Sequence, residues 1–248
     1  MTKTNSNFNE SVSKKTYEEL LNQSSDEQER SLKISDDNLK QILKDLNRTY
    51  PSVQMFQNDS IKDKLKNVLR AFSNYDHETA YYQGMNFIVG FFLYHCEEYV
   101  AFWLFVALFD EYQFRDLFVN DFKELKNHSR VVQNLLIKQL PELNSTFQKF
   151  HVNIEITMVE WLYSLFSSLI PLDLQMDFYL GFFSQSWNFF YKMCISIFKN
   201  ISTKGPIYDA EDIYIALKFG KNVDTPIEEQ NAYWKKIISL AYTIDIDI

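Results

Sequence analysis

Two short stretches carry side chains with chemical capability. In ILKDLNRTYPS (42–52), Asp45 and Arg48 stand three residues apart. On a helix that spacing lets the carboxylate steady the guanidinium, a planar cation with a fork of donors. In AYYQGMNFIVGFFLYHC (80–96), a strongly apolar run opens with Gln83 and Gly84. The glutamine amide has both a donor and an acceptor. The glycine lets another backbone or a ligand come close, and Tyr81 and Tyr82 can wall that approach. Each signal also has a plainer reading. The first is an exposed i,i+3 ion pair worth roughly a few tenths of a kcal/mol. The second is a glutamine that caps its own helix beside tyrosines that fill core.

Other chemistries leave no pattern. His77, His95, His128 and His151 show neither HxxxH nor HExxH spacing, so no helical metal site is read and no metal is expected. No serine sits in a GxSxG elbow. The glycines form neither GxxxxGK[ST] nor GxGxxG, so the chain has no nucleotide cradle of its own. Cys96 and Cys194 lack CxxC spacing and read as buried thiols of a reducing compartment. A net charge of −8 without a Lys/Arg cluster argues against nucleic acid or anionic lipid as partner.

The segments that must hold Arg48 and Gln83 read as helices. Gly and Pro number five each in 248 residues, well below the average of about one residue in eight. Turn-rich sheets need more of both. Apolar residues make up 46% of the chain, and 22 Phe and 15 Tyr supply core filler between helices. The expectation is an all-α, single multi-helix domain with no sheet. Leu39, Ile42, Leu43 and Leu46 form one stripe, with Ser35 or Asp36 as cap and Pro51 as stop. Measured from that stripe's centre, Asp45 lies about 110° away and Arg48 about 170°, so both are expected to project from the far face.

IKDKLKNVLRAF (61–72) repeats the helical period, and SNYDHET (73–79) makes a polar corner. Further helices are predicted near 84–96, 99–110, 129–139, 155–169, 174–184, 186–200, 209–219 and 227–243, with a loop at 201–208. The run from Phe87 to Phe109 is nearly all apolar, but Glu97 and Glu98 interrupt it. At a bilayer centre two carboxylates would cost several kcal/mol, roughly. Two buried helices meeting at a polar corner are predicted instead of a membrane span. Residues 1–30 are polar and are expected to be partly disordered, apart from YEELL (17–21); the domain proper is expected over 31–248. MTKTNSNFNESVSKK at the start lacks the apolar core of a signal peptide.

Taken together and in order, the two stretches resemble a known family. IxxDxxR reads as Ile42, Asp45 and Arg48, followed by TYP (49–51). YxQGM reads as Tyr81, Gln83, Gly84 and Met85, with the glutamine 35 residues after the arginine. These motifs are similar to those of the TBC domain, found in GTPase-activating proteins for Rab-type GTPases. LPEL (140–143) and EWLYSLFSSLIPLDL (160–174) extend the likeness, which is strongest over 31–200.

The resemblance implies an all-helical fold and a GTPase activator that completes a partner's active site. Arg48 would be an arginine finger and Gln83 a glutamine finger orienting the attacking water, both supplied in trans. Asp45 would orient Arg48, Ile42 would anchor the segment, Tyr81 would shape the glutamine's loop, and Gly84 would support the site. The implied partner is a Rab-family GTPase in its GTP-bound state, which itself holds GTP and Mg; this chain would bind no cofactor. The implied setting is the cytoplasm, with peripheral recruitment to endomembranes through partners and a role in vesicle traffic. The alternative is a catalytically silent scaffold of the same fold that binds a GTPase or another protein. The family's N-terminal Arg-x-x-x-Trp helix has no counterpart here, since no tryptophan precedes Trp103, and its Arg-x-Trp-Asp motif appears as Gln175, Met176, Asp177 and Phe178.

Overall fold

The computed structural model describes residues 10–22, 36–119, 122–203, 205, 207–218 and 225–247. Among them the secondary structure is helical, with no strand. The chain divides into two compact units, Met1–Val119 and Asn120–Ile248.

The first unit contains α1 (Glu10–Asn22), α2 (Asp36–Leu46), α3 (Asp59–Tyr75), α4 (Met85–His95) and α5 (Glu98–Glu111). Its central helix is α3. Asn58 caps it by accepting from the Ser60 amide at 2.8 Å, and Asp59 in the first turn suits the helix dipole. Leu65, Val68, Leu69 and Phe72 recur at helical spacing and are sealed from solvent. Phe72 meets Phe105 and Phe109 of α5 with ring centroids 4.7 and 4.4 Å apart. Burying each such side chain contributes about 1.5–3 kcal/mol.

The corner predicted between two buried helices is present. The last residue of α4 is His95, and Glu97 stands at the N-cap position of α5 without a side-chain cap bond. Glu98 lies beside α1 and α3, accepting from the Tyr17 hydroxyl at 2.6 Å and the Asn67 amide at 3.1 Å. The helix α1 falls within the segment expected to be partly disordered. Tyr17 on it is buried, the Trp103 indole donates to the Ser13 carbonyl, and Asn74 donates to the Leu20 carbonyl at its last turn. The rest of residues 1–30 lies outside the described residues.

The second unit contains α6 (Lys123–Gln139), α7 (Pro141–Lys149), α8 (Ile154–Ser164), α9 (Gln175–Gln185), α10 (Trp187–Ser202), α11 (Ala210–Leu217) and α12 (Ile227–Thr243). A helix predicted over 155–169 stops instead at Ser164. Leu165 and Phe166 take left-handed backbone, φ 45° and 59°. This bend seats the Phe166 ring 5.2 Å from Trp161 and 4.9 Å from Phe190. The freed carbonyls of Ser167 and Ile170 are satisfied by the fully buried Gln175 amide. Asp177, in the same altered motif, is exposed. Gly181 lets α9 and α10 touch, since a Cβ there would run into the Phe189 ring.

His128 on α6 is half-buried between Trp187 and Tyr191, and its Nδ1 lies 2.7 Å from the Tyr191 hydroxyl. Burial pushes its pKa down to about 4, so the folded protein keeps the ring neutral. An unfolded histidine titrates near 6.5 and takes up its proton first. Stability from the neutral ring is therefore intact above about pH 6.5 and is lost as pH falls toward about 4. In urea titrations the advantage of wild type over His128→Asn is expected to shrink by about 2 kcal/mol between pH 7 and about pH 4.5. A gap that does not change with pH would contradict this.

Candidate functional site

The first unit brings the two motifs together at the C-terminal end of α2 and the N-terminal end of α4. The face of α2 that packs inward is not the one the apolar stripe indicates. Ile42 and Leu46 are buried as expected, but Leu39 and Leu43 are exposed. Asp45 is fully buried rather than on the far face, and Thr49 is buried too. Ile42, Asp45, Leu46 and Thr49 thus form the inward face at i, i+3, i+4, i+7. Asp45 takes a core position because tertiary donors satisfy it there. Its Oδ1 pairs with Arg48 Nη2 at 2.6 Å, its Oδ2 accepts from the Tyr81 hydroxyl at 2.5 Å, and the Gln41 amide reaches both oxygens. An isolated carboxylate at that depth would be strongly unfavourable.

Arg48 lies just beyond α2, where the chain tightens into i→i+3 bonds from Arg48 N to Asp45 O and Thr49 N to Leu46 O. Tyr50 then turns the backbone with a φ of 44°. The Arg48 side chain is 47% exposed while its Asp45 partner is 0% exposed. The cation is accordingly fixed on its inner side and presented outward. Asp45 itself is sealed from any external molecule and acts only through the groups it holds, Arg48 and Tyr81.

Gln83 is exposed and takes no part in the hydrogen bonds recorded among the described residues. It does not cap α4. The cap is Gly84, at φ 115°, a conformation L side chains rarely adopt. The Gly84 amide is satisfied by Asn86 Oδ1 at 3.1 Å, so the glutamine amide is left for something outside the helix. Tyr81 is buried and faces Asp45 rather than walling an approach. Burial, and then the bond to Asp45, raise its pKa, so the phenol remains a donor at physiological pH. Tyr82 is half-buried against Phe118, ring centroids 4.9 Å apart.

The loop entering Tyr81 is braced from its other side. The buried Asp76 carboxylate accepts from the Thr79 amide and hydroxyl and from Arg115 Nε at 2.6 Å. Arg115 also reaches Asp110, which holds the Tyr75 hydroxyl. Ala80, between these anchors and Tyr81, has a φ of 53°.

Four more residues join the two segments, Thr49 and Tyr50 from the TYP stretch and Asn86 and Gly90, which the motifs did not single out. Thr49 donates to the Asp45 carbonyl at 2.7 Å, and Asn86 Nδ2 donates to Thr49 Oγ1 at 2.8 Å. Tyr50 donates to the Phe87 carbonyl at 2.7 Å. Gly90 makes room for this corner, since a Cβ there would lie 2.8 Å from the Tyr50 ring and 3.1 Å from the Thr49 methyl. The one sequence signal for Asn86 was a polar residue within an apolar run. A hollow of about 520 Å³ in the second unit, lined in part by Arg130, Gln133, His151 and Asn153, holds none of these residues.

Chemically, the site offers a half-exposed guanidinium and an exposed amide on two segments that share one buried carboxylate. It has the parts to stabilise negative charge and to orient a small polar molecule. Among the described residues no helix is long and apolar enough to cross a membrane.

The model of the Rab-GTPase-TBC domain matches residues 2–204 of the chain. The Caenorhabditis elegans Rab GTPase-activating protein eat-17 is 31% identical over 159 residues, covering 64% of this chain and 18% of that protein. The human ecotropic viral integration site 5 protein homolog is 30% identical over 174 residues, covering 69% of this chain and 22% of that protein. The chain thus spans about a fifth of the length of these curated relatives. The crystal structure of the Chlamydomonas flagellar RabGAP TBC domain superposes with a TM-score of 0.69 at 21% identity, covering 92% of this chain and 72% of that one.

Proposed function

Because the chain belongs to the Rab-GTPase-TBC domain family, we propose that it activates GTP hydrolysis by a Rab-type small GTPase, with Arg48 and Gln83 acting in trans on the partner's nucleotide. The observation that supports this reading best is the buried Asp45 carboxylate. One of its oxygens holds Arg48 and the other holds Tyr81, two residues before Gln83.

In GTP hydrolysis negative charge develops on the bridging and γ-phosphate oxygens, and water attacks in line. A guanidinium placed against those oxygens with water excluded stabilises the transition state more than the ground state. Arg48 is held by Asp45 on one side and open on the other, so it can enter such a site without losing its internal partner. Gln83 can accept from the attacking water and donate toward phosphate with the same amide. GTP and its magnesium ion belong to the partner, which is engaged in its GTP-bound state. The chain is an activator that completes another protein's active site. Its setting is the cytoplasmic face of endomembranes, reached through partners, where it regulates vesicle traffic.

The test is single-turnover GTP hydrolysis by a panel of Rab-type GTPases with and without the protein. At least one member is expected to be accelerated by on the order of 10³-fold or more. GTPase binding with no acceleration across a broad panel would replace this reading with a silent scaffold.

A further inference from the structure

One side-chain amide joins the arginine segment to the glutamine loop. Asn86 is fully buried at the second position of α4. Its Oδ1 accepts from the Gly84 amide at 3.1 Å and lies 3.3 Å from the Tyr81 hydroxyl, whose one proton goes to Asp45. Its Nδ2 donates to Thr49 Oγ1 at 2.8 Å, and that hydroxyl donates onward to the Asp45 carbonyl at 2.7 Å. The chemistry fixes the orientation of the amide. A backbone N–H can only donate, so the atom facing Gly84 is the oxygen, and the nitrogen then faces Thr49.

We propose that Asn86 and Thr49 form a positioning pair that sets the Gln83 loop against the Arg48 turn, so that the two exposed groups act as one unit. The catalytic consequence rests on the GTPase-activating reading. Neither residue faces outward, and both act through the groups they hold. Asp45 links the segments through ionic and phenolic contacts to side chains. The Asn86–Thr49 bond links them through groups that sit on the backbone turns themselves, Gly84 N–H on one side and Asp45 C=O on the other. Only an amide meets the requirement at position 86, because it needs an acceptor for the Gly84 N–H and a donor for a hydroxyl whose own proton goes to the Asp45 carbonyl. At position 49 a hydroxyl is required, and valine copies the shape of threonine without it.

The experiment compares Thr49→Val with Thr49→Ser. The serine variant keeps the hydroxyl and loses the methyl that lies against Gly90; the valine variant does the reverse. Misplacing a reacting group by about 1 Å can cost on the order of 10²-fold in rate. Thr49→Val is therefore expected to lower kcat for stimulated hydrolysis by about that factor, with KM for the GTPase within about two-fold. Thr49→Ser is expected to retain most of kcat. A valine variant as active as the serine variant would overturn the proposal, as would a loss in both that follows their thermal stability.

Amide hydrogen exchange at Gly84 reads the same bond without a GTPase. It is expected to be faster in Thr49→Val than in Thr49→Ser, and equal rates would overturn the pair. If wild type stimulates no GTPase, the activating reading fails by itself and the exchange comparison still decides whether the pair holds the loop.

Discussion

Replacing Arg48 with alanine is expected to abolish nearly all stimulated GTP hydrolysis, a loss on the order of 10³- to 10⁵-fold, or about 4 to 7 kcal/mol. The size follows from where the charge sits. Arg48 is half-exposed and its inner contact is a fully buried carboxylate, so the guanidinium is oriented before any partner arrives. A preorganised cation stabilises developing charge without reorganising during the reaction. Folding should suffer much less than activity. Asp45 keeps the Tyr81 hydroxyl and the Gln41 amide as donors when the guanidinium is gone. Arg48→Lys tests the geometry apart from the charge. An ammonium is a point cation without the planar fork that lets one group bind Asp45 and reach outward together. It should recover only a small part of the rate. Single-turnover hydrolysis alongside thermal unfolding measures both effects, and a lysine variant equal to wild type would contradict this account of Arg48.

The second large effect is expected at Gln83. Gln83→Ala should lower the stimulated rate by on the order of 10²- to 10³-fold, the usual cost of deleting one donor aimed at developing charge. The helix behind it should be undisturbed. Gly84 is the cap of α4 and Asn86 satisfies its amide, so the glutamine is not part of what holds the loop. Stability should stay within about 0.5 kcal/mol of wild type, as for a surface substitution away from such features. Gln83→Glu should do no better than alanine. It keeps an acceptor for water but loses the donor and brings a negative charge toward phosphate. A glutamate variant with full activity would assign the residue a different role.

Much of this architecture is legible in the chain, and the exceptions share a cause. Periodicity and the scarcity of Gly and Pro give the helices, and Glu97–Glu98 give the corner between α4 and α5. The inward face of α2 is misread because a pattern counts aspartate as polar and leucine as apolar. Asp45 is buried by a hydroxyl 36 residues away in sequence, a partner no local window contains, and Leu39 and Leu43 are left outside. The end of α8 is hidden for a similar reason. No Gly or Pro marks Leu165 and Phe166, and their left-handed backbone is supported by ring packing and by Gln175. The short helix α7 begins at Pro141, a residue favoured in the first helical turn, but buries little more than Leu143, Asn144 and Phe147. So few inward positions make a weak periodic signal. At the candidate site, motif order names Arg48, Gln83, Asp45, Tyr81, Gly84 and Ile42. TYP marks Thr49 and Tyr50 without saying what they touch, and Asn86 and Gly90 emerge only from the packing that joins the two segments.

The most direct measurement uses a responsive Rab-type GTPase whose own catalytic glutamine has been replaced by leucine. Single-turnover GTP hydrolysis is followed with wild type, Arg48→Ala and Gln83→Ala. A glutamine supplied in trans predicts that wild type still accelerates this crippled GTPase in large part and that each variant fails to do so. Complete loss of stimulation by wild type with binding retained, or equal stimulation by all three proteins, would contradict it.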